Sequence, residues 1–172
     1  MDLLSDILLG KWFWVKGKVD TQMDYELFEI ILQIIAAGVG TLGFSIVFHA
    51  PRREWLFCAL NGALAWLVYL IMTSIGAGVA IASITATFVI TIVSRILSTI
   101  RKNPSTVFLI AAIFPLVPGA GIYYTAYNLI MDDFAAAGAK GLETFEIAGG
   151  IVLGIIFGFV LPNGLFSKNV EQ

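Results

Sequence analysis

Charge is what this sequence has least of. Only 13% of its 172 residues are Asp, Glu, Lys or Arg, roughly half the share of an ordinary soluble domain. The net charge is −2, so no basic face argues for nucleic acid. Cysteine occurs once, as Cys58 inside an apolar run. That excludes an intrachain disulfide and a cysteine-built zinc site; the thiol reads as a small buried hydrophobe. Histidine also occurs once, as His49, which rules out paired-histidine haem or metal sites. His49 stands beside Arg52 and Arg53 and reads as an interfacial loop residue rather than a proton relay. No nucleophile–base pair, zinc-protease motif or phosphate loop is present, so neither an enzyme nor a cofactor is expected. With Asp2 and Asp6 in place of a basic start, the first residues are not expected to be a cleaved leader.

What is abundant is apolar sequence: 59% of residues are hydrophobic and the mean hydropathy is +0.92. Crossing a bilayer takes about 20 apolar residues, and five stretches qualify: 27–48, 55–75, 77–97, 107–130 and 145–166. Their continuity, without alternation, argues against a β-barrel. The expected fold is an all-α integral membrane bundle of about five transmembrane helices. Residues 1–26, with Trp12, Trp14, Lys11, Lys16 and Lys18, read as an amphipathic segment at the headgroups. Residues 167–172 form a tail. Short polar connectors are expected at 49–54, 98–106 and 131–144, and a glycine-bearing turn at Gly76 and Gly78. Glu143 and Glu146, at the start of the fifth span, read as headgroup residues.

Basic residues divide between the two membrane faces. Arg52, Arg53, Arg95, Arg101, Lys102 and Lys168 fall on one side; Lys11, Lys16, Lys18 and Lys140 fall on the other. The richer side is expected inside, which places the N-terminus outside the cell membrane and the C-terminus inside. Gly150, Gly154 and Gly158 share one face of the fifth span, where another backbone can approach closely. Ser83, Thr87 and Thr91 share a face of the third. They could line a path or simply bond their own helix. Arg95, near the end of that span, could attract a carboxylate or snorkel to the interface.

The fourth span carries the most information. Pro115, Pro118, Gly119 and Gly121 lie at about mid-depth. Each proline lacks an N–H, so the carbonyls of Ala111 and Phe114 lose their usual helical donors. A broken helix is expected between Ile113 and Gly121, with a new half-helix starting near Ala120. Irregular backbone at this depth must be covered by protein or meet a water-filled cavity, and half-helix N-termini at such breaks favour anions. Tyr123 and Asn128 follow as hydrogen-bonding groups. A plain proline kink that only aids packing is the competing reading.

The run Pro115-Leu116-Val117-Pro118-Gly119, with Tyr123 four residues on, resembles the signature of the threonine/serine exporter family. It is similar in particular to the small, C-terminal-type half. Phe48 with Pro51, Cys58-Ala59-Leu60, Ser94-Arg95, Pro104 and Phe108 also resemble that pattern, and the resemblance covers roughly 27–166, most of the chain. It implies a secondary exporter of small amino acids or related carboxylates. It also implies a larger five-span partner half, or self-association. Five spans per half would make two fused halves an inverted repeat. A structural or assembly subunit and a homo-oligomeric pore are the readings from other classes.

Overall fold

A computed structural model of the chain describes residues 27–162. The segment 1–26, the tail 167–172 and the last residues of the fifth expected span lie outside the described residues. Every described element is helical, as the composition requires. Helix α1 covers Leu27–Val47. A 3-10 turn at Arg52–Glu54 leads into α2, Trp55–Ser74, followed by α3, Val79–Arg101. Helix α4, Ser105–Ile113, passes through a 3-10 turn at Phe114–Leu116 to α5, Gly119–Ile130, and α6 is Phe134–Val160. Helices α1, α2, α3 and α6 are each long and apolar enough to cross a bilayer. The α4–α5 pair, bent by 48°, is apolar enough to cross only when taken together, as a broken span or a re-entrant loop. The chain is a multi-pass membrane bundle.

The turns share one device. Helix α1 ends with His49 in the left-handed region, φ 56°. The N–H of His49 bonds the carbonyl of Ile46, and that of Ala50 bonds Ser45. This Schellman pattern satisfies the orphan carbonyls of a helix end. Gly76 repeats it after α2, at φ 83°. Asp132 repeats it after α5, at φ 60°, with the Asp133 N–H on Asn128. Asp133 at once caps the next helix, its carboxylate accepting from the Ala136 N–H at 3.0 Å. The connector after α5 is therefore only 131–133. Residues 134–144, expected as part of that connector, are the first three turns of α6. Alanine at 135–137 and 139 favours helix strongly enough to carry Gly138 and Gly141.

Water gives no hydrophobic drive between helices inside a bilayer; close van der Waals packing replaces it. The tightest seam runs between α3 and α6. A methyl placed on Gly154 would lie 2.5 Å from the carbonyl oxygen of Ile84 and 2.8 Å from the Thr87 Cβ. One on Gly150 would lie 2.8 Å from the Ala80 carbonyl oxygen, and one on Gly158 2.5 Å from Thr91 Cγ2. Ser83, Thr87 and Thr91 are fully buried against this face. Each hydroxyl donates to the carbonyl four residues back, at 2.7–2.8 Å. The hydroxyl stripe is packing surface, not a path. Helix α1 meets α2 in a similar way, with Thr41 pressed on Gly62. Between these seams a core of Ala65, Ala86, Ile90, Leu109, Ala112, Leu116 and Ile151 closes the bundle.

One end of the bundle is pinned by charge. Glu54, 3% exposed, accepts from Arg101 Nε at 2.9 Å, from Arg101 Nη2 at 3.0 Å and from Asn103 Nδ2 at 3.2 Å. The same guanidinium lies over the Phe57 ring, 4.6 Å from its centre. This clasp fixes the start of α2 to the end of α3.

Candidate functional site

The break in the fourth span is built by successive local substitutions for the missing proline donors. The Phe114 N–H reaches the Ala111 carbonyl, and the Val117 N–H reaches that of Phe114 at 3.2 Å. The two carbonyls facing the prolines thus regain partners through tighter 3-10 steps. Pro118 then sits at φ −78° and ψ 59°, the inverse γ-turn well, with the Gly119 N–H on the Val117 carbonyl at 2.8 Å. Helix α5 starts at Gly119, one residue before the expected Ala120. Its first regular bond from the preceding loop is Ile122 N–H to Pro118 at 3.0 Å. The N–H groups of Ala120 and Gly121 have no backbone acceptor among the described residues. Such first-turn donors carry the positive end of the helix dipole.

Ala120 and Gly121 line a cleft of about 330 Å³. Pro115, Pro118, Gly119, Ala120, Gly121 and Tyr124 form one wall, and Trp66 and Tyr69 of α2 form another. The third wall is the first half of α6, through Lys140, Glu143, Thr144 and Ile147. Lys140 Nζ and Glu143 Oε2 are paired at 2.8 Å across one turn. The Trp66 indole N–H donates to Gln33 Oε1 at 3.2 Å. That bond gives a partner to Gln33, the amide inside the first span, which with Ala36, Ala37, Trp66 and Pro115 lines a neighbouring cleft of about 260 Å³. Phe114 stacks on Phe44 with ring centres 3.7 Å apart, tying the break to α1.

The sequence-predicted residues separate into two groups. Pro115, Pro118, Gly119 and Gly121 come together at the cleft. A methyl added to Gly119 would meet nothing within 4 Å, whereas one on Gly121 would run into the Thr144 hydroxyl. Gly119 is open backbone and Gly121 is a packing contact. Tyr123 lies outside the cleft lining, 62% exposed, stacked with Tyr127. Its neighbour Tyr124 faces the cleft instead. Asn128 is at the far end of α5, where its carbonyl takes part in the cap. Arg95 is remote from the cleft: it is 7% exposed, and its Nη1 donates to the Gly158 carbonyl at 2.6 Å. It lies against the last turn of α6, where a cation complements the helix dipole.

Among the cleft residues that fall outside the expectation from sequence are Trp66, Tyr69, Lys140 and Glu143. By sequence the last two belong to a connector and to the headgroups. Only the helicity of 134–144 puts them one turn apart on a wall of the cleft. The signal in the sequence is the alanine-rich run that extends α6 backwards.

Comparison with known proteins agrees with this architecture. The profile of the family described as "Threonine/Serine exporter, ThrE" matches residues 33–160. An uncharacterized protein of Haemophilus influenzae is 26% identical over 146 residues, covering 83% of this chain and 49% of its own length. A probable threonine/serine exporter of Mycobacterium tuberculosis is 25% identical over 130 residues, covering 73% of this chain and 25% of its own. The chain thus spans about half of one curated relative and a quarter of the other. No solved structure matches. The family match runs from the first described span to the end of α6 and takes in the whole Pro/Gly break, so the chain belongs to the threonine/serine exporter family.

Proposed function

We propose that this chain is one half of a secondary exporter, moving threonine, serine or a related small carboxylate across the cell membrane together with a second five-span half. The observation that carries the reading is the cleft at the helix break, lined by Ala120 and Gly121, whose N–H groups have no backbone acceptor among the described residues. A carboxylate placed there would gain two donors and the dipole of a twelve-residue helix. At about 330 Å³ the cleft is at the small end of ligand pockets, in keeping with a substrate of few heavy atoms. The greater length of the relatives supports a second half, supplied by another subunit or another copy of this chain. Pro115, Pro118 and Gly119 shape the cradle, and Gly121 seats α5 on α6. Tyr123 and Asn128 would reach substrate from the side of the second half.

The orientation follows from charge. Arg52, Arg53, Arg101 and Lys102 would lie inside, and Lys140 with the cleft wall that bears it would lie toward the outside. The deciding measurement is export of labelled threonine, serine and small dicarboxylates from cells making this chain alone, the second half alone, or both. Export that needs both halves supports the reading. Export unchanged by this chain leaves it a structural subunit. Leakage of many solutes with this chain alone would make it a pore.

A further inference from the structure

Among the described residues, the cleft is lined by one charge of each sign and no other. Lys140 and Glu143 face it from α6, opposite the start of α5. Their side chains are 49% and 45% exposed, so their mutual bond is weak and its loss costs little. A ligand carrying only a carboxylate would satisfy Lys140 and leave Glu143 facing a second negative charge. A ligand carrying only an ammonium would do the reverse. An α-amino acid carries both on one carbon and replaces the pair's internal bond with two of its own, net charge unchanged. We propose that Lys140 and Glu143 are the specificity-determining poles of the cleft: Lys140, with the N–H groups of Ala120 and Gly121, takes the carboxylate, and Glu143 takes the ammonium. This rests on the reading above that the cleft holds the substrate.

An i,i+3 pair that merely stapled α6 would respond to every ligand alike. The proposed pair discriminates among them. Binding of radiolabelled threonine, its deamino analogue 3-hydroxybutyrate and threonine methyl ester is measured on membrane vesicles containing the full chain, with and without a second five-span half. Glu143→Gln is expected to weaken threonine and the ester about tenfold and leave 3-hydroxybutyrate within twofold. Lys140→Met is expected to weaken threonine and 3-hydroxybutyrate about tenfold and leave the ester within twofold. Should a single variant fail to reach the membrane, the exchanged pair Lys140→Glu with Glu143→Lys keeps the bridge and is used instead. It would turn the poles against the α5 donors, and threonine should bind at least tenfold more weakly. Variants that weaken all three probes equally, or leave threonine within twofold, overturn the assignment while wild-type binding keeps the cleft as the site. Wild-type vesicles that bind none of the probes overturn the cleft itself, and the assignment with it.

Discussion

Two glycine-rich regions of this chain do opposite things. Along the α3–α6 seam, Gly150, Gly154 and Gly158 lie where even a methyl would strike backbone or a β-carbon. At the head of α5, a methyl on Gly119 meets nothing within 4 Å. The seam holds the buried Ser83, Thr87 and Thr91, and α5 buries no residue at all. Glycine spaced by four along an unbroken helix removes bulk so that two helices can touch. Glycine directly after proline leaves backbone open and polar groups reachable. The first region is a rigid frame and the second is a site hung on it.

The largest expected effect comes from breaking the frame. Gly154→Val would force a branched side chain against the Ile84 carbonyl and Thr87. Overpacking of this kind costs about 1–3 kcal/mol or more, a large part of a membrane bundle's stability. Folded protein recovered from membranes, and its melting temperature in detergent, should both fall sharply. Normal yield would mean that α3 and α6 can separate without harm, and the comparison would collapse.

Gly119→Val tests the other side. The site has room, so the protein should reach the membrane at its usual level and melt normally. The new side chain would cover the Ala120 and Gly121 donors and occupy the cleft. Export is expected to drop at least about tenfold, the scale of losing one or two charge-assisted hydrogen bonds. Equal loss of yield in both glycine variants would erase the distinction between frame and site.

Much of this is legible in the sequence, and where the sequence misleads there is a common cause. Five apolar runs, the break at Pro115–Gly119 and the close-packing face of α6 all follow from local chemistry: hydrophobic length, missing N–H donors, residues spaced by four. The start of α6 is hidden because Gly138, Lys140, Gly141 and Glu143 look like a loop, whereas helix continuity there is supplied by alanine and by contact with α5. Gly141 lies against Thr125, and Gly121 against Thr144. With that segment helical, Lys140 and Glu143 stand on the wall of the cleft. Tyr124 rather than Tyr123 faces the cleft for a similar reason. Which side of a helix looks inward depends on the angle at which α5 leaves the break, 48° from the axis of α4, and no local pattern fixes that angle.

Arg95 is a smaller test of the same division. It stands on the frame, bonded to the last turn of α6. Arg95→Met should therefore lower stability by about 1.5–3 kcal/mol, the range for hydrogen bonds to charged groups, read as a lower melting temperature in detergent. Threonine affinity at the cleft should stay within twofold. A variant of normal stability with weakened substrate binding would return Arg95 to the substrate path.

The smallest effect separates two adjacent tyrosines. Tyr123 and Tyr124 differ by one position, so about 100° of turn divides their side chains. Tyr124 lines the cleft, and Tyr123 stacks on Tyr127 outside it. Removing one hydroxyl deletes at most one hydrogen bond, worth about 0.5–1.5 kcal/mol. In the chain by itself, Tyr124→Phe should weaken threonine binding by about two- to tenfold and Tyr123→Phe by less than twofold. The second half changes the expectation for Tyr123 only. If its ring lies where the two halves meet, Tyr123→Phe should lower export from cells containing both halves while binding to this chain stays unaltered. Equal and substantial loss of binding in both variants would mean that α5 turns within the cleft, and that the site is wider than the wall formed by Gly119, Gly121 and Tyr124.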